Sequence, residues 1–551
     1  MTSTSVLEPG RPTREIFSFD HDHGCPGKDL AHLLGGKGAG LAEMTTALGI
    51  NVPPGFTIAL PVCRQYRETG WPDGLDREVE QNIARLGDVL GRRFGDPVDP
   101  LLVAVRSGSP ISMPGMLDTV LNLGITDETV EGLASVSRDE RFAWDSYRRF
   151  LQMFGTTVRD LPADSLPAAP AGSDIPSLRQ HVRDLNDAIA QQSGNAVPQE
   201  PLQQLREAVE AVFRSWDSVR AVAYREHEKI DPDLGTAVNV QAMVFGNRGG
   251  ISGTGVAFTR DPRTGAATPY GDYLPNAQGE DVVAGSARTL PLDAIADIDS
   301  GLHAELVRVL RRLEIHYRDL CDVEFTIENG RLWFLQTRVG KRGALAAARI
   351  AVDLVNDSQI ALSHDEAVSR VSRELRERAR AELHEHDETD AGEDACFGVG
   401  LGASGGFATG RAVFSSQAAL AANDPVILIR PETSPEDVVG MSVAAGVLTT
   451  AGGLVSHAAV VARGWGVPAV VGAHDLKIRD DCLFAPDGRR IGVGSELTID
   501  GASGRIWIGA VVPIPVDAIE SPALALLDEW DSHTDADARV EHPQLKAEET
   551  R

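Results

Sequence analysis

The spacing of apolar positions changes along the chain, and each change predicts a different kind of element. After a lead of about 14 residues that reads as flexible, Leu33-Leu-Gly-Gly-Lys-Gly-Ala-Gly-Leu reads as a Gly-rich loop opening a helix, with Leu41, Met44 and Leu48 at helical intervals. Leu101 to Arg106 is a nearly unbroken apolar run that predicts a buried strand, and Ser107–Met116 after it is a Gly/Ser/Pro loop. From about 139 to 228 the pattern is mostly helical, broken by the Pro/Ala/Ser-rich stretch Leu161–Pro176, and reads as scaffold. Two β-like runs follow, Thr236–Phe245 and Gly253–Arg260. The glycine loop between them favours pairing the two as antiparallel neighbours. Residues 341–385 are helical in pattern, and the charged run Glu374–Glu393 reads as a solvated helix passing into a linker.

Beyond Val426 the rhythm becomes α/β. Val426–Ile429 predicts a buried strand, Ser434 and Pro435 an N-cap and first helical position, and Gly446–Thr450 a second strand. A Gly-Gly loop then leads into a helix starting near His457, followed by a strand at Ala469–Val471. Short strands up to Gly509 close this region, and residues 513–551 form an acidic, proline-bearing tail. Gly400-Leu-Gly-Ala-Ser-Gly405 has the spacing of a dinucleotide loop, but no strand precedes it and no suitable acid follows.

The alternating run at 322–338 is the most informative hairpin. A two-residue Asn329-Gly330 turn is the default and would put Glu324 and Gln336 on opposite faces. A three-residue loop pairs Glu324 with Phe334 instead and gathers Asp322, Glu324, Gln336 and Arg338 on one face. Val323, Phe325, Ile327, Trp333 and Leu335 then share the other, so the apolar pattern favours this register. A carboxylate, an amide oxygen and an arginine on one sheet face suit Mg²⁺ held together with nucleotide phosphates.

Composition narrows the class. The 551 residues allow three or four domains, and 42% hydrophobic with 24% charged residues is ordinary for a globular chain. A net charge of −28 disfavours a general nucleic-acid or anionic-membrane surface, though not a locally held nucleotide. The five cysteines have no Cys-x-x-Cys spacing, which gives neither a zinc signature nor a disulfide framework and fits a reducing cytoplasm. No apolar stretch reaches the roughly 18 residues of a membrane span, and the N-terminus has no signal-peptide pattern.

The candidate chemistry centres on His457. A neutral imidazole can accept and pass on a phosphoryl group. Gly452 and Gly453 let backbone approach a phosphate, and Ser456 with the following helix start offers N–H groups to negative charge. Arg463, six residues on, points away around the helix. Lys37 sits in a Gly-rich loop that is not a Walker A loop, because Gly38 follows it; phosphate contact and a solvated lysine both remain open. Arg106 at a strand end is a clamp for anionic oxygens or a surface arginine, and Gln278, Glu280 and Asp281 lie in a loop that is either ligand-facing or polar surface.

Taken together, the runs Gly-Gly-Lys-Gly-Ala-Gly-Leu, Val-Arg-Ser-Gly-Ser-Pro-Ile-Ser-Met-Pro-Gly-Met-Leu-Asp-Thr, Ser-Gly-Thr-Gly-Val-Ala-Phe-Thr-Arg-Asp-Pro, Asn-Ala-Gln-Gly-Glu-Asp-Val-Val-Ala-Gly, Val-Glu-Phe-Thr-Ile and Gly-Gly-Leu-Val-Ser-His-Ala-Ala-Val-Val-Ala-Arg resemble pyruvate phosphate dikinase, in that family's order, over about 15–512. The resemblance implies an α+β ATP-grasp nucleotide-binding region at 15–345, a connector and linker at 346–395, and an α/β swivelling phosphohistidine domain at 396–512. It also implies roles: Lys37 and Arg106 on ATP phosphates, Glu324 and Gln336 on Mg²⁺ with Asp322 beside them, Glu280 and Arg338 lining the site, and His457 phosphorylated. ATP and Mg²⁺ are the implied cofactors, AMP the nucleotide product, phosphate a co-substrate, and pyruvate or another small molecule the acceptor, in the cytoplasm.

Two departures stand out. The family's phosphoenolpyruvate/pyruvate TIM barrel needs about 250 residues, whereas about 40 follow Gly509, so no barrel and an acceptor on a separate chain are expected. Val455 stands where the family usually has threonine, which removes a hydroxyl beside the histidine. Three rivals are a phosphoenolpyruvate-synthase-like enzyme using water, an antibiotic phosphotransferase of similar build, and a non-catalytic nucleotide-binding phosphocarrier. The short 341–395 connection leaves no room for the acceptor domain of the second.

Overall fold

The computed structural model describes residues 15–169, 174–283, 289–384, 388–389, 395–514 and 521–541. They fall into two compact units: residues up to Met113 with Leu117–Val244, and Pro114–Met116 with the chain from Phe245 onward.

The first unit is built on a five-stranded antiparallel sheet in the order Ile16–Ser18, Gly55–Ile58, Ala237–Ala242, Val103–Gly108, Thr119–Leu123. Ala237–Ala242 is buried at every position, as a central strand must be. Its placement corrects the sequence reading. It pairs with Gly55–Ile58 and Val103–Gly108, and Gly253–Phe258 joins a different sheet, so the glycine loop at 246–253 is a crossover and not a hairpin. Local spacing alone cannot tell the two apart. Helices Glu140–Thr157, Ile175–Ser193, Pro201–Ser215 and Val219–Glu228 fill the stretch read as helical scaffold.

The second unit contains two large sheets. One is antiparallel, in the order Leu290–Pro291, Tyr270–Pro275, Gly253–Phe258, Cys321–Glu328, Arg331–Val339. The other has eight strands: Cys396–Val399, Arg505–Ile508, Glu496–Asp500, Phe407–Val413, Val426–Arg430, Gly446–Thr449, Ala469–Val471, Leu401–Ser404. Its centre is parallel from Phe407–Val413 through Ala469–Val471, which is the α/β pattern expected from 426 onward. Gly400–Gly405 enters an antiparallel edge strand and not a dinucleotide loop. Among the described residues there is no closed barrel.

The hairpin reaches its expected outcome by another route. Glu328 pairs with Arg331 across a two-residue turn whose Asn329 and Gly330 both have positive φ, 49° and 75°. That is the default Asn-Gly turn, not the three-residue loop. The register then slips by one between Glu324 and Phe325, leaving Leu335 as the extra residue of a β-bulge. Glu324 consequently faces Gln336, and Asp322 faces Arg338. The other face differs from expectation too. Phe325 pairs with Phe334 and Ile327 with Leu332, all buried, whereas Trp333 pairs with Thr326 on the Glu324 side.

Two further packing features matter for the site. Helix His457–Trp465 buries Ala458, Ala459, Val461 and Ala462 against Leu428, Val447, Ala469 and Val471, and ends at Gly466 with φ 66°. The stretch read as an acidic tail includes helix Pro522–Glu541, which buries Leu524, Leu527 and Trp530 beside Ala344, Ala348, Val352 and Ala379. Burial of this size contributes about 2 kcal/mol per large apolar side chain. Arg376, 4% exposed, donates to the Leu527 carbonyl at 3.3 Å and pairs with Asp528 and Asp531. Of the charged run at 374–393, residues 374–384 belong to helix Arg373–His384, while 385–387 and 390–393 lie outside the described residues.

Candidate functional site

His457 is the first residue of its helix. The preceding loop leaves the carboxyl end of strand Gly446–Thr449, turns at Gly452 with φ 89°, and ends at Ser456, whose hydroxyl accepts the Ala459 N–H as N-cap. The ring is largely buried. Its Nδ1 lies 3.0 Å from the Thr433 hydroxyl, and its Nε2 is buried without a hydrogen-bond partner. Burial pulls the imidazole pKa down to about 4, against the opposing pull of the Asp437 and Glu436 carboxylates. His457 is therefore neutral at pH 7. In the tautomer that donates Nδ1–H to the Thr433 hydroxyl, Nε2 holds a free lone pair.

Thr433 escapes the sequence reading because the Thr-Ser-Pro-Glu-Asp run looks only like a helix cap. It is one: Ser434 and Asp437 form a capping box over Pro435–Asp437. The residue before that cap is the one that meets the histidine. Gly115 was also missed as an individual contact. A Cβ there would stand 2.7 Å from His457 Cδ2 and 2.9 Å from Nε2, so its bare backbone, φ 73°, lies over the reactive edge.

The histidine loop is also held from the antiparallel sheet of the same unit. A Cβ on Gly453 would stand 2.7 Å from Asp272 Oδ2, so glycine is what lets the loop come that close. Asp272 accepts the Thr289 hydroxyl at 3.0 Å, and burial pushes its carboxyl pKa up, partly offset by Thr289 and the Val455 backbone amide. Val455, 6% exposed, packs with Phe258, Leu274, Ala277 and Leu320. Arg463 lies buried behind the loop, donating to the carbonyls of Ala403 and Leu454, each at 3.1 Å.

On the hairpin, Gln336 Nε2 donates to Glu324 Oε1 at 2.5 Å, and Arg338 Nε lies 2.8 and 2.7 Å from the two Asp322 oxygens. Burial pushes the Asp322 carboxyl up while Arg338 pulls it down. These four residues do share one face. Glu280 lies in the short helix Gly279–Val283, where Gln278 N–H donates to Asp281 Oδ2 at 2.9 Å. Among the described residues no three His, Cys, Asp or Glu side chains cluster as a metal site. The Glu324–Gln336 pair offers one carboxylate and one amide oxygen, a donor set that fits Mg²⁺ bound chiefly through phosphates and water.

In the first unit Lys37 follows a break within helix Ala31–Thr46, not a loop ahead of it. Gly35 has φ 69°, and a Cβ there would stand 1.7 Å from the Gly108 carbonyl. Gly36 N–H donates to Ser109 O at 2.9 Å. The break therefore sets the turn bearing Lys37 against the end of the strand that carries Arg106, which pairs there with Asn239 and Thr119.

Residues 31–81 and 72–290 match the pyruvate phosphate dikinase AMP/ATP-binding domain, and residues 422–504 match the mobile domain of PEP-utilising enzymes. The chain is 46% identical over 509 residues to the pyruvate, phosphate dikinase of Rhizobium meliloti (strain 1021), covering 87% of this chain and 56% of that protein. The chain is pyruvate phosphate dikinase-like. Pyruvate, phosphate dikinase 1 of Oryza sativa subsp. japonica, a chloroplastic protein, is 44% identical over 517 residues, 90% of this chain and 54% of its own. The Clostridium symbiosum pyruvate, phosphate dikinase is 43% identical over 517 residues, 90% of this chain and 58% of its own. The dikinase-like chain thus spans a little over half the length of the relatives it matches. Among its described residues no helix is long and apolar enough to cross a membrane.

Proposed function

We propose that the chain transfers a phosphoryl group from ATP to His457 Nε2 and passes it to pyruvate or another small acceptor bound outside the described residues. The observation that carries this reading is the state of the imidazole. It is buried and neutral, fixed through Nδ1 by Thr433, and its Nε2 is unpartnered at a helix start behind a Gly-Gly loop. In the step proposed, the Nε2 lone pair forms an N–P bond as the P–O bond to the departing AMP breaks. The remaining terminal phosphoryl group goes to phosphate in a dikinase and to water in a synthase-like enzyme. The proton stays on Nδ1 and is donated to the Thr433 hydroxyl oxygen, which steadies the positive charge developing on the ring.

Lys37 and Arg106 take ATP phosphate oxygens, and Glu324 with Gln336 would hold Mg²⁺, which supplies charge neutralisation on the phosphates when bound. Asp322 orients Arg338, which with Glu280 lines the site. Gly452, Gly453 and Ser456 shape the histidine loop. The nucleotide region, 15–345, is of ATP-grasp type; 346–395 is connector and linker; 396–512 swivels as the phosphohistidine domain; and the chain works in the cytoplasm. The matches to an AMP/ATP-binding domain and a mobile domain support this division.

The test is direct. Incubation with β-labelled ATP and Mg²⁺ leaves acid-labile label on the protein, and His457→Asn abolishes it; label surviving the substitution overturns the assignment. AMP formation that requires phosphate marks a dikinase, and AMP formation without it marks the synthase-like alternative. ATP binding with no turnover marks a phosphocarrier.

A further inference from the structure

Within the second unit a cavity of about 690 Å³ lies between helices Ala344–Asn356, Arg373–His384 and the start of Pro522–Glu541 on one side, and Gly402–Gly405 and residues 501–502 on the other. This is within the size range of small-molecule sites, roughly 300–1,000 Å³. Leu345, Val352, Leu383 and Leu526 give it apolar walls.

The charged side chains that line it have partners within the chain, Arg463 only in part. Arg263 pairs with Asp261 at 3.2 Å, Arg349 lies 3.9 Å from Asp353, and Glu382 accepts the Leu345 N–H at 3.2 Å. Arg463, which also lines the cavity, is 4% exposed. Its Nε and Nη2 donate to the Ala403 and Leu454 carbonyls, but Nη1 has no partner. Two carbonyls fix the orientation of the guanidinium without neutralising it. Burial accordingly pulls its pKa down to about 10. Among the described residues no carboxylate pairs with it at salt-bridge distance, Asp261 and Asp322 acting on it only from farther off, and a buried charge so weakly compensated is what an anion would complete. Ser521, Pro522 and Ala523, at the start of the last helix, face the same cavity and add the positive end of a helix dipole.

We propose that this cavity binds a small amphipathic carboxylate, with its acid group at Arg463 and the first turn of the Pro522 helix and its apolar body along Leu345, Val352, Leu383 and Leu526. A neutral apolar guest leaves Arg463 uncompensated. An inorganic anion leaves the apolar walls uncovered, and a phosphate dianion brings two negative charges against the single positive charge of Arg463. Because Arg463 also holds the Leu454 carbonyl, the occupant sits one side chain away from the loop that bears His457. The site does not depend on the phosphoryl chemistry proposed for that histidine.

Isothermal titration of the full chain with 4-phenylbutyrate, set beside its neutral amide 4-phenylbutyramide, tests the site. One equivalent of the acid binds saturably with Kd below about 1 mM, and the amide binds about tenfold more weakly or worse. Ala523→Trp and, independently, Leu526→Trp fill the cavity without touching Arg463. Whichever of them keeps the wild-type unfolding midpoint loses at least about tenfold in acid affinity. Equal binding of acid and amide, undiminished binding by a folded blocked variant, or no binding up to about 10 mM acid overturns the proposal.

Discussion

Replacing Thr433 by valine keeps the side-chain shape and removes the hydroxyl that meets His457 Nδ1 at 3.0 Å. Nε2 has no partner of its own, so the ring loses its side-chain hydrogen bond at Nδ1 and with it the acceptor that favours the Nδ1–H form. The lost hydrogen bond is between neutral groups and contributes about 1 kcal/mol net. Spent on the transition state alone, that amounts to roughly a fivefold slower step. Sharing the proton between both nitrogens further lowers the fraction with a free Nε2 lone pair, and a total loss of about five- to twentyfold is expected. The assay is single-turnover labelling of the protein by β-labelled ATP, paired with ¹H–¹⁵N long-range correlation spectra of the imidazole. Wild type shows the Nδ1–H form, Thr433→Val a mixture, and Thr433→Ser recovers both the form and most of the rate. A wild-type ring protonated on Nε2, or a valine variant that labels at full rate, refutes the reasoning.

Other consequences follow from the same geometry. His457 is held near pKa 4 in the folded chain against an ordinary value of 6.5, so the unfolded chain binds a proton first as pH falls. Stability is fully present above about 6.5 and declines by on the order of 3 kcal/mol as pH falls to about 4; urea unfolding across that window should show the decline, and His457→Asn should lack this component. Gly115→Ala places a methyl carbon within 3 Å of Nε2, at a positive φ that costs a further 1–2 kcal/mol; labelling should fall at least tenfold with ATP affinity kept, as read by equilibrium nucleotide binding. Gln336→Leu removes both an oxygen donor and the partner of Glu324, so a Mg²⁺ titration of AMP formation should shift its midpoint about tenfold higher. Val455→Thr puts a hydroxyl among Phe258, Leu274 and Leu320 and should lower unfolding stability by about 1–3 kcal/mol in denaturant melts.

What the sequence made legible was local periodicity tied to one face. The helix after His457 and its buried Ala458, Val461 and Ala462 followed from 3.6-residue spacing, and the α/β order around it followed from apolar runs separated by turns. The polar hairpin face was legible for a less direct reason. A register that puts Glu324 and Gln336 on one face gathers most of the apolar residues on the other, but pattern alone could not say whether a longer loop or a bulge supplies the extra residue. The structure uses the bulge at Leu335, and Trp333 changes sides as a result. Contacts distant in sequence were not legible at all. Thr433 lies 24 residues from His457 and Asp272 far earlier still, and neither has a spacing that marks it. The misplaced pairing of 236–245 with 253–260 has the same origin, because adjacent strands give no local sign of which sheet each will join.

The burial that makes His457 a good acceptor also makes it a poor resting place for the product, which gives the proposed swivelling a physical cause. A neutral ring tolerates its buried pocket, and Glu436 and Asp437 beside it are harmless to a neutral group. Once phosphorylated, the same ring carries negative charge. The two nearby carboxylates then repel it, and the Asp272 side chain against Gly453 adds charge to the loop's other flank to the extent that it is ionised. The helix N-terminus compensates by about 1 kcal/mol at most sites, which is small beside the cost of burying an unpaired anion. Val455, packed in the apolar cluster of the neighbouring sheet, acts the other way, since its contacts are lost if the loop withdraws. The balance between these terms sets how readily phosphorylation releases the loop. A valine at this position shifts that balance toward retention, so Val455→Thr should speed onward transfer from the phosphorylated protein even as it lowers stability.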